Sequence, residues 1–145
     1  MQPLPKQERI RKYGEVFTPP EIASQMCDML AENSDVDPYA PETTFLEPSC
    51  GHGVFALEVL RRKFERCKTR KDYETAALSV WAIEIQPDNV QITIDAVLKL
   101  CREHFTVSKA MEREISDRII MGDALKIMKL LKERGGGVQY IYVRG

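Results

Sequence analysis

The chain is expected to be an α/β domain built on a parallel, doubly wound sheet of about four strands, with a helix on its N-terminal side. Two observations carry that expectation. Short apolar runs alternate with longer stretches of helical periodicity, and strands joined this way in one sheet need right-handed crossovers. The acidic residues Glu47, Glu84 and Asp123 also each fall at the carboxyl end of one of those runs, the edge where such sheets bind ligands. A length of 145 residues suits one domain with a real core.

Residues 1–16 are polar, contain proline and carry Lys6, Arg9, Arg11 and Lys12. They are expected to form a flexible, solvated arm with at most a short turn, ahead of a domain spanning 17–145. Thr18-Pro-Pro-Glu21 is a helix-start signal: Thr18 as cap, Pro19 in the first turn and Glu21 completing a capping box. The helix that follows places Ile22, Met26, Met29 and Leu30 on one face, then fades into a loop over Asn33–Pro38.

Thr43–Leu46 is the first strand. Gly53–Arg66 is a helix with Ala56, Leu57, Leu60 and Phe64 inward. Lys68–Tyr73 is a charged connection and Ala77–Ile83 a second strand. Pro87 opens a long helix that turns Val90, Ile94, Val97, Leu98 and Cys101 to one side. Arg118–Met121 is a third strand. Ala124–Glu133 is a helix with Ile127, Met128 and Leu131 inward, stopped by three glycines at 135–137. Val138–Val143 is a fourth strand.

Composition narrows the function. With 43% hydrophobic and 30% charged residues and a net charge of −1, the whole chain lacks the basic excess of a protein that grips nucleic acid by its phosphates. The basic stretch Arg61–Lys71 suits a solvated helix face. The four cysteines are widely spaced and the histidines are only His52 and His104, so a structural zinc site is not expected. No signal core or membrane-length apolar run is present, and reduced thiols in the cytoplasm are the natural expectation.

The chemistry centres on residues 47–56. Gly51-His-Gly-Val-Phe-Ala56 matches the dinucleotide pattern, which alone is a weak signal, since a tight strand-to-helix turn needs no ligand. A pyrophosphate here would meet the negative charge of Glu47, and Pro48 removes one amide that a phosphate could use. S-adenosylmethionine (SAM) carries a cationic amino group that Glu47 would attract, while amides around Gly51 and Gly53 could meet its carboxylate. Glu84 can accept two ribose hydroxyls, a role that serves NAD and SAM equally, or it can favour the start of the helix at Pro87. Asp123 can accept from an adenine amino group or cap the next helix. No catalytic set surrounds His52, and Cys50 suits a small turn-filling residue.

Taken together these residues resemble the amino-terminal half of adenine-N6 DNA methyltransferases of restriction–modification systems. Tyr13-Gly-Glu-Val-Phe-Thr-Pro-Pro20 is similar to the family's leading motif, so Phe17, Thr18 and Pro19 would line the methionine end of SAM. Glu47-Pro-Ser-Cys-Gly-His-Gly-Val-Phe55 is similar to its cofactor loop, which brings Glu47, Pro48, Ser49, Cys50, Gly51, Gly53 and Phe55 into the expected site. Trp81–Ile85 resembles the ribose motif, with Glu84 and Ile85, and Ile120–Ala124 the adenine motif, with Asp123 and Ala124. The resemblance implies a partial Rossmann-like SAM-methyltransferase fold, SAM as cofactor and DNA as partner of the complete enzyme.

The family's Asp/Asn-Pro-Pro-Tyr/Phe tetrapeptide, which holds a flipped base, follows a strand like 138–143. Here the sequence reaches Arg144-Gly145 instead. The 145-residue chain alone is therefore expected to bind cofactor without methylating. An apolar fourth strand left at the edge is expected to drive self-association or pairing with a partner subunit. A SAM-binding interaction module, and a methyltransferase acting on RNA or protein, are the other readings.

Overall fold

The computed structural model describes residues 3–13, 17–48 and 50–133. Three strands, β1 (Phe45–Glu47), β2 (Val80–Glu84) and β3 (Ile119–Met121), form a parallel sheet in the order β1-β2-β3. Phe45 stands opposite Val80, Glu47 opposite Ala82, and Glu84 opposite Met121. Right-handed crossovers between strands that advance in one direction place their helices on one face. The contacts agree: α2 (Pro20–Glu32) packs on α3 (Val54–Glu65), which meets α4 (Arg70–Leu78) and α5 (Pro87–His104), and α5 meets α6 (Lys109–Asp117). The arrangement is compatible with a Rossmann-like fold. Double winding requires a reversal of strand order, and the fourth strand expected at 138–143 lies outside the described residues, as do the glycines at 135–137.

The strands are short and buried between layers. All of β1 is buried, and β2 is buried except at Trp81. The core joins Phe45, Val80, Ala82 and Ile119 to Val59, Leu60 and Phe64 of α3, Val97, Leu98 and Cys101 of α5, and Ile115 of α6. Burying each such aliphatic or aromatic side chain contributes roughly 1.5–3 kcal/mol. The four cysteines are all buried and unpaired. Among the described residues no helix is long and apolar enough to cross a membrane.

Several elements differ from the sequence expectation. The arm at 1–16 contains a helix, α1 (Lys6–Tyr13), and it is anchored: Arg9 donates to both carboxylate oxygens of Asp88, at 2.9 and 2.6 Å, in the first turn of α5. The cap of α2 is Pro19 rather than Thr18, with no side-chain hydrogen bond, so the expected capping box does not form. Within α2, Ala23 and Cys27 are the buried residues, while Ile22 and Met29 are exposed. The connection at 68–73 starts α4, whose Thr69 and Asp72 form a reciprocal capping box, so β2 begins at Val80 rather than Ala77. Helix α6, capped by Ser108, had no counterpart in the sequence reading. Helix α7 (Ala124–Glu133) follows β3 as expected.

One buried cation stands inside this frame. Lys63 of α3 is fully buried and donates to the Ala40 carbonyl at 2.7 Å and the Thr43 carbonyl at 2.5 Å. Its ammonium also lies 5.4 Å from the Phe45 ring centre. It thereby fixes the turn that delivers the chain into β1. Burial lowers its pKa from 10.5 to about 8. Between those values the unfolded chain binds more protons than the folded one, so this group's contribution to stability rises with pH. The stability of the wild type relative to Lys63→Met, from urea denaturation, should therefore shift in favour of the wild type between pH 8 and 10.5. A difference that does not change with pH would contradict this account.

Candidate functional site at the carboxyl ends of the strands

The segment after β1 crosses to the end of β2 rather than leaving the sheet. The Cys50 N–H donates to the Ile83 carbonyl at 3.0 Å, one residue before Glu84. The chain then turns tightly: Gly51 and Gly53 both take positive φ, 55° and 83°, a conformation that favours glycine. The Gly53 N–H closes the turn on the Cys50 carbonyl at 2.7 Å, and α3 starts at Val54. The Gly53 amide thus has a partner within the turn.

Two side chains grip the turn from outside it. The Phe17 ring lies against Gly51, 3.0 Å from where a β-carbon would stand, and stacks on the His52 ring with centres 4.1 Å apart. Thr93, fully buried on α5, donates its hydroxyl to the Gly51 carbonyl at 3.0 Å. The Thr93 methyl lies 2.8 Å from where a Gly53 β-carbon would stand. The Thr93 and His52 contacts were not read from the sequence. A threonine inside a helix and a histidine between glycines carry no local sign of such partners.

Two carboxylates lie buried at this edge. Glu47 ends β1 at 6% exposure and Glu84 ends β2 at 5%. The Gln86 N–H donates to Glu84 Oε2 at 2.6 Å, so the start of α5 orients that carboxylate. The Gly122 N–H donates to the Glu84 main-chain carbonyl at 3.0 Å, drawing the turn after β3 to the same place. Asp123 follows, and its Oδ1 accepts the Leu125 N–H at 2.9 Å, the capping role. Burial pushes the Cys50 thiol up to about 12, with the nearby charges of Glu84 and Glu47 adding to the rise. Cys50 is therefore a neutral filler at ordinary pH, not a thiolate nucleophile.

The other expected residues divide by position. Thr18 and Pro48 are half-buried, Pro19 is exposed at the start of α2, and Ile85 and Ala124 are half-buried beside the two acids. Phe55 is buried in the core. Ser49 lies outside the described residues. The structure thus brings Phe17, Gly51 and Gly53 together at one turn and ties that turn to the backbone leading into Glu84.

The parallel α/β sheet, with a glycine turn and buried acids at its carboxyl edge, is compatible with a Rossmann-like fold. No family model matches the chain, and no solved structure matches it. Over 56 residues, 39% of the chain, it is 38% identical to the type II methyltransferase M.VspI of Vibrio sp. (strain 343). The match spans 12% of that protein's length. This similarity supports a methyltransferase relationship.

The turn makes a quantitative demand. Gly53→Ala adds a β-carbon both at φ 83° and against Thr93, so it should destabilise the fold by roughly 2 kcal/mol or more. Gly51→Ala meets only the movable, half-exposed Phe17 ring and should cost about 1 kcal/mol. Urea midpoints of the two variants check the order, and equal or reversed costs would contradict the clamp at Gly53.

Proposed function

We propose that this chain is the SAM-binding portion of a DNA adenine-N6 methyltransferase. The observation that carries the reading is the placement of two buried carboxylates, Glu47 and Glu84, at the ends of adjacent strands on either side of a glycine turn. The two positive-φ glycines let the chain turn tightly between the two acids.

In this reading Glu47 attracts the α-amino group of SAM, and the peptide amides of the turn meet its carboxylate. Glu84, oriented by the Gln86 N–H, accepts from the ribose hydroxyls. Asp123 adds a contact to the adenine amino group beside its capping bond. Phe17 and the half-buried Thr18 border the methionine end. A bound SAM supplies an electrophilic methyl group, and the residues of this chain hold and orient it while the buried edge limits water. A negative charge at Glu47 disfavours a pyrophosphate in the same turn, which separates this reading from a nicotinamide dinucleotide site.

DNA is the proposed partner of the complete enzyme, with an extruded adenine as acceptor. The resemblance of the motifs at 13–20 and 47–55 is what favours that choice.

Titration calorimetry with SAM tests the binding. The wild-type chain should bind one equivalent, and Glu84→Gln and Glu47→Gln should each weaken binding about tenfold, near 1.4 kcal/mol. NAD should not compete. No heat from a folded sample, or displacement by NAD, would overturn the reading.

A further inference from the structure

The Gly51–His52 peptide is held from one side. The Thr93 hydroxyl donates to the Gly51 carbonyl at 3.0 Å from a fully buried position on α5. A trans peptide is planar, so its N–H points opposite to its carbonyl. With the Gly51 carbonyl turned toward α5, the His52 N–H faces away from α5. Among the described residues no hydrogen-bond acceptor takes that N–H, whereas the Gly53 N–H is closed on Cys50. The Thr93 methyl meanwhile fills the space beside Gly53 and holds the second left-handed residue in place. The Cys50 Sγ, 3.7 Å from the Thr93 hydroxyl oxygen, is fixed by the same side chain.

We propose that Thr93 is a positioning residue that aims the His52 main-chain N–H at the carboxylate of the amino-acid end of the cofactor. The inference rests on the SAM reading above and extends it to a residue on a different element. Thr93 touches no ligand in this account and acts only through the peptide it holds. If its hydroxyl is lost, the peptide can rotate about the flanking Gly51 ψ and His52 φ bonds, and the amide loses its aim. The nucleoside end, held from Glu84, would be untouched.

That division gives the test. Thr93→Val keeps the methyl group and the branched shape but removes the donor, while Thr93→Ser keeps the donor and removes the methyl. Each variant is first checked for a wild-type circular dichroism spectrum. Affinities are then measured for S-adenosylhomocysteine, which carries the carboxylate, and for methylthioadenosine, which does not. Thr93→Val should weaken S-adenosylhomocysteine roughly tenfold, the scale of one hydrogen bond to a charged group. Methylthioadenosine should bind it as it binds the wild type, and Thr93→Ser should retain both affinities. Equal losses for the two ligands, or no loss, in Thr93→Val would overturn the inference. If Thr93→Val does not fold, Thr93→Ser decides: retained S-adenosylhomocysteine affinity supports the role, and a tenfold loss contradicts it. A wild-type chain that binds neither ligand defeats the cofactor reading itself, which separates the two failures.

Discussion

The hydrogen bond from the Cys50 N–H to the Ile83 carbonyl is the contact on which the carboxyl edge of the sheet depends. It carries the parallel pairing of β1 and β2 past the end of β1 and turns the chain across β2. Without it the glycine turn would not be tied to the end of β2, although the paired strands would still hold Glu47 and Glu84 at one edge. With it the turn lies beside Glu84, and the Gly122 N–H draws the next turn to the same residue from the other side. Parallel strands have no hairpin to fix their ends, so alignment at the edge must come from such crossing bonds.

The site is also held from behind. Thr93 reaches the turn from α5, and α5 is itself bound by Arg9 of α1 at Asp88. The bidentate guanidinium–carboxylate pair sits where the α5 dipole also favours the acid. Arg9 holds the Asp88 carboxyl below the ordinary carboxylate value. Segments distant in sequence, near residues 9, 50, 84 and 93, are thus coupled through a few short polar contacts in addition to the apolar core. Below this edge Lys63 adds a polar support of the same kind, since its ammonium closes on two carbonyls that precede β1.

Much of this frame was legible in the sequence. The acid at the end of each strand, the glycine spacing and the long helix opened by Pro87 are local patterns, and each appears where it was read. Other parts were hidden for physical reasons. Helix α6 has only Ile115 fully buried, and its charged residues resemble a loop. Helix α4 carried a visible capping signal at Thr69 and Asp72, but its short, polar run masked it. Helix α1 gains its anchor from Asp88, 79 residues away, which no local pattern reveals. The grip of Phe17 and Thr93 on the turn is likewise tertiary. Met29 and Ile22 fit a helical stripe yet stay exposed, because the face of α2 that meets α3 is the one bearing Ala23 and Cys27.

The central claim is that this edge holds the adenosine and amino-acid ends of a methyl donor in one orientation. Soaking or co-crystallising the chain with S-adenosylhomocysteine measures it most directly. The account predicts ribose hydroxyls on Glu84, the amino group near Glu47 and the carboxylate on the amides of the glycine turn. Electron density for the ligand elsewhere on the protein, or the reverse orientation with ribose at Glu47, would contradict it.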